Sequence, residues 1–247
     1  MSFQIKKITL KTDNLESNAL YFCPQTSDGN YAAVFTNGYT SHKGSILPWA
    51  QKMMEINIPT ILFDLPGHFL GSFHEVTTFE DFKKETPELF NQAHQVLGTH
   101  NKLIAGGHSL GALFSLIYSE SYQPELLFCA GLGLADPTKQ HLFQTPFFKE
   151  TLNLRSELVS PQISPEVVFP WISEKKQNLN TKGKKIILVA GKDDIVIDRE
   201  KGINRLADIL KKNNSVETIT PPSLPHHQPE RAGVYLKQEI KKILSRS

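Results

Sequence analysis

The chain has 247 residues, 39% of them apolar and 21% charged, which fits one globular domain with a substantial core and excludes a disordered chain. Its 27 basic and 25 acidic side chains leave a formal net charge of +2, so no electrostatic signal points to a nucleic-acid partner. Two cysteines, Cys23 and Cys129, are too few for a disulfide framework. The first residues lack the apolar stretch of a signal peptide, and no run of about 18 apolar residues could cross a bilayer, so no integral membrane segment and a cytoplasmic location are expected.

Residues 3–10 and 18–23 alternate apolar and polar side chains and predict an N-terminal hairpin. Five short apolar runs follow, of the kind that strands covered on both faces require: 31–36, 60–64, 102–106, 126–134 and 185–191. A last strand is expected at 216–220. Helical spacing appears at 46–56, at 78–97 with an interruption or restart near Pro87, and at 110–120, 201–212 and 230–244. Strands alternating with helices predict an α/β fold: a mostly parallel, twisted, eight-stranded sheet with helices on both faces. The rhythm breaks at approximately 137–183, which carries no strand pattern but several prolines among aromatic side chains. An insertion of that length is expected to be functional, here a mobile, partly helical cap over the site. Phe147, Phe148 and Trp171 are its expected substrate-facing walls, with Lys139, Lys149 and Lys175 turned to solvent.

The strand at 102–106 runs into Gly107-His108-Ser109-Leu110-Gly111 and then into a helix. This is G-x-S-x-G in the strand–turn–helix setting that lifts a serine hydroxyl above a sheet edge. Small neighbours make room for the strained turn, and the helix that follows directs its positive end at the site. Ser109 is the expected nucleophile. A serine hydroxyl needs a base within hydrogen-bond reach and a third group to orient that base. His226 and His227 follow the last expected strand, and Asp193 and Asp194 follow the one before it. Asp136 follows the strand at 126–134.

At these residues the chain resembles the α/β-hydrolase family. The resemblance extends upstream to Asn37-Gly38-Tyr39, where Asn37 stands at the usual histidine of a His-Gly pair. It also takes in Asp64-Leu65-Pro66-Gly67-His68, similar to the family's D-x-P-G-H-G-x-S segment, but continuing as Phe69-Leu70-Gly71-Ser72. The resemblance implies a catalytic triad of Ser109, Asp194 and His226, with His227 the alternative base and Asp193 and Asp136 alternative acids. It places the oxyanion-hole donors at the backbone N–H groups of Leu110 and Tyr39. The implied activity is that of a serine hydrolase cleaving a small-molecule carboxylic ester or thioester with an apolar group. A thioesterase or carbon–carbon bond hydrolase would use the same triad, and a non-catalytic binding protein could use the same fold. No cofactor and no metal are expected. The two loop histidines are adjacent rather than four apart, there is no Cys/His cluster, and Gly106-Gly107 opens no dinucleotide fingerprint.

Overall fold

The computed structural model describes residues 3–26, 30–98, 102–136 and 145–245, with Phe147 described by its backbone alone. Eight strands form one sheet: β1 (Phe3–Lys11), β2 (Glu16–Pro24), β3 (Tyr31–Thr36), β4 (Thr60–Phe63), β5 (Lys102–His108), β6 (Leu126–Ala130), β7 (Lys185–Val189) and β8 (Ser215–Ile219). Their spatial order is β1-β2-β4-β3-β5-β6-β7-β8. From β4 through β8 every neighbouring pair is parallel, while β2 runs antiparallel to both β1 and β4. The apolar runs are central strands because both of their faces are covered. In β3, Ala32 and Val34 enter one core layer, and Ala33 and Phe35 enter the other.

Helices α1 (Leu47–Met54) and α7 (Gly233–Leu244) cover one face of the sheet through Trp49, Met53, Leu236 and Ile240. The opposite face is covered by α2 (Phe79–Leu97), α3 (Leu110–Ser121) and α6 (Arg199–Leu210). The expected break near Pro87 does not occur: α2 is continuous through it. Proline there forfeits one helical hydrogen bond. Phe82, Leu89, Phe90 and Ala93 are fully buried on the same helix, and their packing outweighs that loss. The run at 126–134 yields a shorter strand than expected, because Gly131 turns the chain at φ 62° just after Ala130.

Within the expected cap, residues 137–144 lie outside the described residues. The remainder forms α4 (Pro146–Ser156) and α5 (Pro165–Gln177), joined by residues 157–164, which include a 3-10 turn at Pro161–Ile163. From Leu158 onward this segment is bonded to the body. Phe69 N–H donates to Leu158 O at 2.9 Å, Ser160 N–H donates to Gly67 O at 2.8 Å, and Tyr39 Oη donates to Ile163 O at 2.8 Å. The segment 64–72 makes this docking possible. Gly71 lies so close to the buried Asp64 that a Cβ there would sit 2.2 Å from its carboxyl carbon, and Asp64 accepts from the Lys43 N–H and pairs with its ammonium. No helix among the described residues is long and apolar enough to cross a membrane.

Candidate active site

In a parallel sheet the carboxyl ends of the strands all open on one edge, and ligand sites gather there. Ser109 follows β5, Asp194 follows β7, His226 follows β8 and Tyr39 follows β3. Four segments distant in sequence therefore converge at one edge.

Ser109 has φ 52° and ψ −112°, outside the range an ordinary L-residue favours, at a cost of about 1–3 kcal/mol. The turn closes so tightly that Gly107 and Gly111 touch. A Cβ on Gly107 would lie 2.6 Å from both Gly111 C and Thr36 O, and one on Gly111 would lie 2.5 Å from Asn37 O. Any side chain at either position would push the elbow off the end of β3. The turn is held by Ser109 N–H donating to Ala130 O at 2.8 Å and by Leu113 N–H donating to Ser109 O at 3.1 Å.

Ser109 Oγ lies 3.2 Å from His226 Nε2, and His226 Nδ1 lies 2.9 Å from Asp194 Oδ2. Asp194 is 1% exposed, and its other oxygen accepts from the Val196 N–H at 3.1 Å. A buried carboxylate can only accept, so Nδ1 carries the proton and Nε2 presents its lone pair to the serine hydroxyl. The loop bearing His226 is fixed from both sides. Leu224 N–H and Ser223 Oγ each donate to Asp193 at 2.8 Å, and Trp49 Nε1 donates to Pro229 O at 2.8 Å. The Leu224 N–H foremost, with the Ser223 hydroxyl, holds the Asp193 carboxyl below its ordinary value. Asp193 thus anchors the histidine loop without touching the imidazole. His227 is exposed, with no bond to Ser109 or Asp194. Asp136 faces Arg205 at 4.0 Å.

His108 makes no hydrogen bond to Ser109. Its ring packs against that of His226 with centroids 4.7 Å apart, and it is 7% exposed. Burial first, and the neighbouring His226 second, hold it well below the usual histidine value. A neutral ring there places no positive charge against His226.

The backbone N–H groups of Tyr39 and Leu110 have no hydrogen-bond partner among the described residues. Asn37 is fully buried and bridges two loops: its Nδ2 donates to Gly38 O at 3.0 Å and its Oδ1 accepts from the Leu65 N–H at 3.2 Å. Ser41 N–H donates to the same Gly38 oxygen at 3.2 Å. In a trans peptide the C=O and N–H point in opposite directions. Holding Gly38 O therefore aims the Tyr39 N–H the other way. Gly38 itself lies against the elbow, since a Cβ there would be 3.3 Å from Ser109 Cβ.

A cavity of about 680 Å³ opens over Ser109 and His226. The cap supplies one wall, with Phe148 and Leu152 from α4 and Phe169 and Ile172 from α5. Trp171 does not face this cavity: its ring packs on Phe79 at 5.7 Å and Phe114 at 5.5 Å, centroid to centroid, pinning α5 to the body. The side chain of Phe147 lies outside the described residues. Two residues that sequence reasoning passed over, Arg155 and Lys176, also line the cavity. Lys175, expected in solvent, pairs with Glu120 at 3.0 Å.

The sequence matches no protein-family model and no curated protein. Many solved structures share its fold. A thermostable carboxyl esterase from Bacillus coagulans, solved with glycerol, superimposes with a TM-score of 0.70 at 13% identity, over 99% of this chain and 98% of that one. A bacterial membrane phospholipase A, described as a virulence factor, gives 0.67 at 16% identity over 98% and 86% of the two chains. The thioesterase domain of the curacin biosynthetic pathway gives 0.66 at 14% identity over 96% and 99%. The fold of the chain is that of the α/β-hydrolases, and the likeness does not resolve a subfamily.

Proposed function

We propose that this α/β-hydrolase-fold protein is a serine hydrolase that cleaves a carboxylic ester or thioester through an acyl-enzyme on Ser109. The observation that carries the reading is the hydrogen-bonded series Ser109 Oγ, His226 Nε2, His226 Nδ1 and Asp194 Oδ2 at the floor of a large cavity. Attack of Ser109 Oγ on the substrate carbonyl carbon transfers the hydroxyl proton to His226 Nε2. The carbonyl oxygen becomes an oxyanion and is received by the Tyr39 and Leu110 N–H groups. Asp194 stabilises the resulting imidazolium without taking its proton. Collapse breaks the bond to the alcohol or thiol, which leaves with the proton from His226. Water then repeats the sequence on the acyl-enzyme and releases the acid.

The rings and aliphatic side chains of the cavity wall support a substrate with an apolar portion. Cys23 and Cys129 are free thiols, in keeping with a cytoplasmic site of action. The test combines labelling by a fluorophosphonate with turnover of p-nitrophenyl esters and acyl thioesters. Wild type is expected to be labelled and active. Ser109→Ala should lose labelling and about 10⁴-fold or more in turnover with unchanged thermal unfolding. Equal turnover in the two proteins would refute the reading.

A further inference from the structure

The two cap helices present the cavity with the same order of side chains. On α4 it meets Phe148, Leu152 and Arg155, and on α5 it meets Phe169, Ile172 and Lys176. Spacings of three and four residues put each set on one helical face, running from an aromatic through an aliphatic to a cation. The two cations flank the nucleophile from different sides. Lys176 Nζ donates to Gly133 O at 2.7 Å, in the loop that continues from Ala130, whose carbonyl holds Ser109. Arg155 Nη1 donates to Thr40 Oγ1 at 2.9 Å, next to the Tyr39 peptide.

Lys176 is the informative member of the pair. Its neighbour Lys175 is neutralised by Glu120, whereas Lys176 has no carboxylate partner among the described residues. Asp193, the one carboxylate lining the cavity among those residues, is committed to the Leu224 N–H and the Ser223 hydroxyl. An ammonium has three donors, and a single carbonyl satisfies one of them. Burial pushes the Lys176 pKa down to about 8, the mark of a cation desolvated without a counterion, yet still one that keeps its proton at neutral pH. A structural lysine on an amphipathic helix reaches its head into solvent. This one turns it into the cavity that holds the nucleophile.

We infer that the substrate carries an anionic group, a carboxylate or a phosphate, at the end of its apolar portion, and that Lys176 binds it. The apolar rings and side chains of the two helices then hold the stem between that group and the ester. This inference rests on the hydrolase reading above and deepens it.

Two matched substrate pairs test it. The first is p-nitrophenyl pentanoate against the p-nitrophenyl monoester of glutarate, which adds a carboxylate at the acyl end. The second is S-butyryl-pantetheine against S-butyryl-pantetheine 4′-phosphate, which adds the charge on the leaving side. The readout is the anionic-to-neutral ratio of kcat/KM in wild type, Lys176→Met and Lys176→Arg. In at least one pair, wild type should favour the anionic member, and Lys176→Met should lower the ratio by about tenfold or more, through KM. Lys176→Arg should retain most of it. The pair that responds identifies which charge is read. A ratio equal in wild type and Lys176→Met for both pairs overturns the inference while leaving the hydrolase reading intact. If no ester is turned over and Ser109 is not labelled, the hydrolase reading fails by itself. Calorimetric binding of the mono-N-butyl amide of glutarate against N-butyl pentanamide then decides: tighter anion binding that Lys176→Met abolishes sustains it, and equal binding overturns it.

Discussion

Asp194 and Asp193 are adjacent carboxylates in one loop with different partners, His226 and Val196 for the first and Leu224 and Ser223 for the second, so the proposed mechanism predicts separable effects. Replacing Asp194 by asparagine keeps size and shape but changes what faces the imidazole. One Asp194 oxygen accepts from the Val196 N–H, so in Asp194→Asn the amide oxygen is held at that position and the amide NH₂ turns toward His226 Nδ1. Nδ1 must then accept, which moves the ring proton to Nε2, and Nε2 presents a donor to Ser109 Oγ instead of a lone pair. The base is lost through its tautomer. The expected loss in kcat is about 10⁴-fold, or about 5.5 kcal/mol of transition-state stabilisation. Asp193→Asn keeps one acceptor for the Leu224 N–H and touches no reacting atom, so its expected loss is about tenfold or less. The assay is steady-state hydrolysis of a neutral p-nitrophenyl ester by both variants, with thermal unfolding as a check on folding. A crippled Asp193→Asn beside a near-normal Asp194→Asn would refute the assignment.

Three further outcomes are expected. His68 is completely buried with its pKa driven to about 4, and His108 is shifted in the same direction. The unfolded chain therefore binds protons that the folded one refuses. Stability should be fully present above about pH 6.5 and fall by up to about 3 kcal/mol for His68 alone as pH drops toward 4; a urea midpoint that stays constant from pH 7.5 to 5 would contradict this. Asn37→Ala should free the Gly38–Tyr39 peptide and lower kcat by about 10–100-fold with little change in KM, because the interaction lost is one made only in the transition state. An unchanged kcat beside a lowered unfolding temperature would reduce Asn37 to a structural bridge. Phe148→Ala should shift the preferred acyl chain to longer lengths, each further buried methylene contributing about 0.8 kcal/mol, while Trp171→Ala should lower stability and leave the chain-length profile in place. Identical profiles for wild type and Phe148→Ala would place the acyl site elsewhere.

Most of the fold was legible because buried parallel strands impose a plain pattern. Tyr31–Thr36 is apolar but for its last residue and buried at every position, and the strand begins and ends where the run does. The hairpin was legible for the opposite reason: β1 lies at the sheet edge and is largely open to solvent, so polar side chains alternate with the apolar ones, of which Ile8 and Leu10 turn to the core. Pro87 misled because a local rule was set against a tertiary one. The cost of proline in a helix is visible in sequence, and the packing of α2 on the sheet that outweighs it is not.

The site was legible wherever a backbone constraint dictates residue type. The elbow admits only glycine at 107 and 111, and that demand makes the motif visible. Choosing between adjacent residues is a different problem. His226 and His227 have the same chemistry and neighbouring positions, and the turn from Pro225 to Gln228 decides which ring faces Ser109. The cap poses it again with Lys175 and Lys176, adjacent, identical and on one helix. A helix rotates each successive residue by about 100°, so one ammonium meets Glu120 on the body and the other turns into the cavity. Trp171 and Ile172 divide in the same way between core and cavity. An aromatic-rich segment therefore announces that a wall exists, while the docking of α5 on α3 determines which side chains form it. That docking depends on Phe114 and Phe79, residues far from the cap in sequence, and so the lining of the cavity is set by a contact between elements that no local pattern records.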